Sequence, residues 1–185
     1  MNTPWGKSDS KITLARGVSL VGTPGHGGFA ITPSAALKYL STAAVARATK
    51  YGGYYFFEED CDAFIVLLEL PVSLLEVLGG VIQTEESLVK SLSYWHLDYL
   101  QERGITPNAE GAKFFQENRL ADTMRRDKSP NLIVSASGDW ADWVPAGKVG
   151  VITADNRRYL VPEAQYDNRV NLNLLSNYHG VQAVA

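Results

Sequence analysis

The chain has 185 residues, enough for one domain with a sizeable core or one domain with an appended subdomain. Hydrophobic residues make up 45% and charged residues 20%, and a net charge of -3 excludes a general attraction to nucleic acid or to an anionic membrane. The single cysteine, Cys61, excludes an intramolecular disulfide.

The polar opening MNTPWGKSDSK lacks the apolar stretch of a signal peptide. The longest apolar run, 63 to 78, is broken by Glu69, Pro71 and Glu76, too short and too charged to span a bilayer. A cytoplasmic protein with no membrane partner is expected. GVSLVGT (17–23) and GFAIT (28–32) read as two strands of a hairpin joined by PGHG, with the glycines supplying positive φ. Thr32-Pro33 reads as an N-cap followed by proline at the first helical position, opening a helix to about Arg47. YGGYYFF (51–57) is a third strand. In EEDCDAFIVLLEL (58–70) the acidic start suits a helix opening at Glu58, while Phe64-Ile65-Val66 leaves a strand open.

The clearest helix is 84–104: Thr84 caps it, Gly104 ends it, and Leu88, Leu92, Trp95 and Tyr99 form its apolar stripe. A more polar helix starts at Thr106-Pro107 and runs to 127, and KSPN (128–131) is the best linker. Beyond it LIVSAS, KVGVITA and RYLVP are short strands, and PEAQYDNR (162–169) forms a helical turn or two. The expected class is α+β: an N-terminal antiparallel sheet with packed helices, a helical middle and a C-terminal antiparallel β-meander. The expected division is 1–127 and 132–185, or one continuous domain.

TPWGKSDS (3–10), VGTPGHGGFAIT (21–32), YYFFEEDCDAFIVLLELP (54–71) and GDWADWVPAGKVGVITADNRRYLVPEAQYDNR (138–169) resemble a family of bacteriophage and plasmid proteins with no known activity. The resemblance touches about half the chain, at both ends, and departs from the family where two phenylalanines precede Glu58 and Glu59. It implies a phage or mobile-element context and carries no catalytic role.

Four constellations are candidates for function. His26 with Glu58, Glu59, Asp60 and Cys61 would supply a general base, a Cys–His nucleophile or metal ligands, if the strand of 51–57 lies beside that of 28–32. Against this, the carboxylates suit a helix start, Cys61 suits a core position and His26 suits a turn. No CxxC or HExxH spacing is present, so neither a metal nor a cofactor is assigned. PGHGG could form an anion nest but lacks the Gly-Lys-Ser/Thr ending of a P-loop. Trp140 and Trp143, three apart in a turn-rich stretch, suit base stacking or a partner anchor, or else they roof the C-terminal strands. Arg119, Arg125, Arg126, Lys128, Arg157 and Arg158 would contact phosphates if they shared a face. His96 beside the stripe reads as packing, and His179 has no visible partner.

The favoured expectation is a small accessory protein that binds a host protein in counter-defence or host takeover, through an exposed apolar patch or a homodimer face. The alternatives are a hydrolase or transferase using His26 with 58–61, and a nucleic-acid-binding module. An enzyme requires His26 within reach of the acidic block.

Overall fold

The computed structural model describes residues 1–79 and 83–184. It is α+β, and the chain divides into two compact units, 1–115 and 116–185.

The first unit is built on an antiparallel five-stranded sheet. Its chain opens with a two-stranded ribbon, β1 (Asn2–Thr3) and β2 (Gly6–Lys7), which the sequence reading missed. Then come β3 (Ser10–Ala15), also missed, β4 (Val18–Gly22) and β5 (Gly27–Ile31). Thr32 caps α1 (Pro33–Tyr39) through its hydroxyl, as Thr-Pro predicts. The expected helix to Arg47 is split. Leu40 leaves helical geometry, and Ser41 caps a second helix, α2 (Thr42–Arg47).

The expected strand 51–57 is a hairpin, β6 (Thr49–Tyr51) and β7 (Tyr54–Glu58). Gly52 and Gly53 turn it with φ of 54° and 81°, the signature of a two-residue type I′ turn. The sheet order is β3-β4-β5-β7-β6. One face buries Val18, Phe29, Ile31 and Phe57 under the helices. The other buries Val21, Ala30 and Phe56, roofed by Trp5, whose ring meets Phe56 edge-on at 5.7 Å. Each buried phenylalanine contributes about 1.5–3 kcal/mol of apolar burial.

The helix expected at Glu58 begins later. Glu58 ends β7, residues 59–62 turn, and α3 is Ala63–Glu69. A short α4 (Val72–Leu75) follows. The helix expected over 84–104 is two, α5 (Glu85–Trp95) and α6 (Leu97–Glu102), parted at His96, with φ -137° and ψ 48°. Thr84 and Gly104 mark the ends as expected, Gly104 at φ 68°. The stripe is corrected: Leu88 and Leu92 are buried, but Trp95 is 54% exposed. The break at His96 resets the phase, so Leu97, Tyr99 and Leu100 carry the burial onward. The next helix, α7 (Ala109–Arg126), starts behind Asn108, whose side-chain Oδ1 accepts from Gly111 N–H, rather than at Thr106.

The second unit holds an antiparallel meander, β8 (Ile133–Ser137), β9 (Lys148–Thr153) and β10 (Arg158–Pro162). A further strand, β11 (Gln182–Val184), pairs with β10. Residues 163–165 form the expected helical turn. Ile133, Val151, Val161 and Tyr178 make its core.

Candidate functional site

The register of β5 on β7 pairs Gly28 with Glu58, and this sets His26 at the end of one strand opposite the acidic end of the next. His26 Nδ1 lies 3.4 Å from Glu58 Oε1. The loop between β4 and β5 is closed by Thr23, whose backbone and hydroxyl both donate to the carbonyl of His26, so the imidazole is not used in the turn. The glycines of this loop have a different role from the one expected. Among them only Gly28 has positive φ, 155°. Gly27 leaves room for the Glu59 carboxylate, and Gly28 for the Phe57 carbonyl and the Trp5 ring. With Glu58 and Glu59 against the loop, it is a poor anion nest.

The contacts continue inward. Glu58 Oε2 accepts from Asp60 N–H at 3.0 Å and from the Cys61 thiol at 3.4 Å. Cys61 Sγ stands 3.6 Å from Asp62 Oδ1, and the same oxygen lies 2.9 Å from His96 Nε2. Two of the three histidines and the only cysteine thus meet in one chain of contacts. The structural explanations offered for the acidic block do not hold. None of the carboxylates lies in the first turn of α3, and Asp62, at the position before it, makes no capping bond. Cys61 is half-buried among carboxylates rather than in the core.

Burial, then Asp62 and Glu58, push the Cys61 thiol up from 9.0 to about 12. It is a thiol at neutral pH and its proton goes to Glu58, which removes the Cys61–His26 nucleophile. Iodoacetamide is expected to alkylate native, chelator-treated protein at pH 8 about a thousandfold more slowly than urea-unfolded chain, following the thiolate fraction. The unfolded chain ionises from pH 9.0 and the native one only near 12, so stability falls as pH rises through this window. Equal native and unfolded alkylation rates would contradict the burial.

Beside His26 a cleft of about 360 Å³ opens between β3, β4 and the loop, with His26 and Glu59 on its wall. His26 is 57% exposed there, whereas Glu58 is mostly covered and its Oε1 has no hydrogen-bond donor. A cavity of about 610 Å³ lies elsewhere, beside Glu69 and Arg103. Its one buried carboxylate is already bound by Ser41 and Tyr99.

Trp143 packs on Gly150 with Arg158 over its ring at 5.3 Å, so it roofs the C-terminal sheet. Trp140 is 77% exposed. Arg125 pairs with Asp122 at 2.8 Å and Arg157 with Asp155 at 3.1 Å, so these two face local acids. Arg126 is exposed at the end of α7. The backbone of His179 donates to Gln165. Sequence reasoning missed His96 and Asp62. The available signal was spacing, since Leu88, Leu92 and His96 are four apart and share one helical face.

Among the described residues no helix is long and apolar enough to cross a membrane. No curated protein and no solved structure matches the chain. A family model described as a domain of unknown function, DUF7007, matches residues 1–126. That span contains the Trp-Gly opening, the His-Gly-Gly loop, the acidic block and most of the helical middle, while the pattern at 138–169 lies beyond it. With over half its length matched, the chain belongs to this DUF7007 family of unknown function.

Proposed function

We propose that the first unit is a hydrolase or transferase of acid–base type, with His26 as the general base. The observation that carries this reading is the 3.4 Å approach of His26 Nδ1 to the covered Glu58 at the wall of a cleft. Glu58 orients the ring through Nδ1, which leaves Nε2 to take a proton from water or a substrate hydroxyl and return it to the leaving group. The 3.4 Å contact is longer than a formed hydrogen bond, as is common before substrate tightens such a pair. Cys61, held as a thiol, is not the nucleophile.

A second reading is favoured by a different surface. Leu37 on α1 is 89% exposed beside a groove of about 420 Å³ shared with Leu40, Val45 and Ala46. An apolar groove of this kind suits a phage or mobile-element accessory protein that binds a host protein in the cytoplasm, in counter-defence or host takeover.

One pair of variants separates the readings. The wild-type chain is assayed with p-nitrophenyl acetate and bis-p-nitrophenyl phosphate. Turnover is expected to fall about 10²–10⁴-fold in His26→Ala and to be unchanged in Leu37→Asp. Equal rates in wild type and His26→Ala end the enzymatic reading.

A further inference from the structure

We propose that Cys61, Asp62 and His96 bind one zinc ion. Their donor atoms all lie within 4.8 Å of one another. Around a tetrahedral zinc with bonds of about 2.0–2.3 Å, donor atoms stand roughly 3.3–3.6 Å apart. The thiol and Asp62 Oδ1 are 3.6 Å apart, and Asp62 Oδ1 and His96 Nε2 are 2.9 Å apart. Only small side-chain shifts separate this arrangement from coordination.

An independent observation points to a ligand. His96 Nε2 is buried and makes no hydrogen bond, although Asp62 Oδ1 is only 2.9 Å away. The pair is close but not aligned, as two ligands of one ion are. A buried ring nitrogen that makes no hydrogen bond costs about 1–3 kcal/mol, and a metal on its lone pair removes that cost. Asp62 stands at the N-cap position of α3 without capping it, and its carboxylate faces Cys61 and His96 instead.

The backbone supports the site from two directions. Cys61 and Asp62 lie in the turn before α3, and His96 is the residue at which α5 breaks before α6. Ile65 and Val66 of α3 and Leu92 of α5 are fully buried in the same core, which fixes one ligand segment against the other. A sulfur, an imidazole and one carboxylate form a donor set for zinc rather than for calcium or magnesium. Three protein ligands leave the fourth position to water. The second triad, His26 with Glu58 and Glu59, is more exposed and offers no sulfur. The zinc site stands whether or not His26 is catalytic.

The test uses the full chain, stripped with chelator and titrated with Co²⁺ and then Zn²⁺. One Co²⁺ per chain is expected, with a thiolate-to-cobalt charge-transfer band and tetrahedral d–d bands, all displaced by Zn²⁺. Cys61→Ser should abolish the charge-transfer band. His96→Ala should weaken binding by more than about 100-fold, beyond the loss typical of an outer-shell partner. His26→Ala should leave stoichiometry and spectrum unchanged. Absence of the charge-transfer band in folded wild-type protein overturns the proposal, whatever the variants do. Loss of binding in His26→Ala with retention in His96→Ala also overturns it, by moving the ion to the other triad.

Discussion

A Glu69→Ala protein is expected to lose about 3–5 kcal/mol of stability, the scale for removing one partner of a buried charged network. Glu69 closes α3, and its side chain is only 6% exposed. Ser41 N–H donates to Oε2 at 2.6 Å, while the Ser41 hydroxyl and the Tyr99 hydroxyl donate to Oε1. Arg103 Nε stands 3.5 Å from the same oxygen. One carboxylate therefore ties the start of α2 and the middle of α6 to the end of α3. Hydrogen bonds to a charged group are worth about 1.5–3 kcal/mol each, and truncation leaves a buried phenol and a backbone N–H unpaired. Arg103 is substantially exposed and contributes little to the sum.

Burial and then the bond to Glu69 hold the Tyr99 hydroxyl above its ordinary range, so it remains a donor across neutral pH. Glu69→Gln keeps the shape but points an amide toward Ser41 N–H, and should fall between wild type and alanine. Urea denaturation followed by circular dichroism measures both. A loss below about 1 kcal/mol for Glu69→Ala would mean that water replaces the carboxylate, and the network would then be incidental.

This network explains where sequence reading stopped. Thr32, Thr84 and the paired Gly52-Gly53 act through bonds only a few residues long, so the ends they set are legible in the chain. The break at Ser41 is also a local cap, but nothing nearby interrupts the alanine-rich pattern on either side. The carboxylate that holds it comes from 28 residues away. The break at His96 is of the same kind, since its partner Asp62 lies on another helix's approach. The candidate site divides along the same line. His26 and Glu58 end adjacent strands; the sequence marked both strands but left their adjacency as a condition, which the β5–β7 register meets. Asp62 and His96 depend on how α3 and α5 pack, which no local pattern encodes. The first and third unread strands give periodicity little to report: β1 is two polar residues, and β3 is exposed over its first four. The C-terminal β11 is only three residues long and mostly exposed, with the same result.

Gly28→Val in β5 is expected to cost more than about 3 kcal/mol, whereas Gly25→Ala, in the loop just before β5, should stay within about 0.5 kcal/mol. The contrast follows from what each missing side chain would meet. A Cβ at Gly25 has nothing within 4 Å. A Cβ at Gly28 would run into the Phe57 carbonyl, a ladder group that cannot move without breaking the pairing of β5 with β7. It would also come within 2.8 Å of the Trp5 ring, and the residue's φ of 155° is strained for any L side chain. Two losses therefore add. The strands separate at the register that brings His26 to Glu58, and Trp5 lifts from Phe56. Chemical denaturation gives the stability difference, and a red-shifted, solvent-quenched tryptophan signal reports the loss of the Trp5 roof. If Gly28→Val were as stable as Gly25→Ala, the loop would be held by its Thr23 bonds alone. The strand register would then not be what places His26.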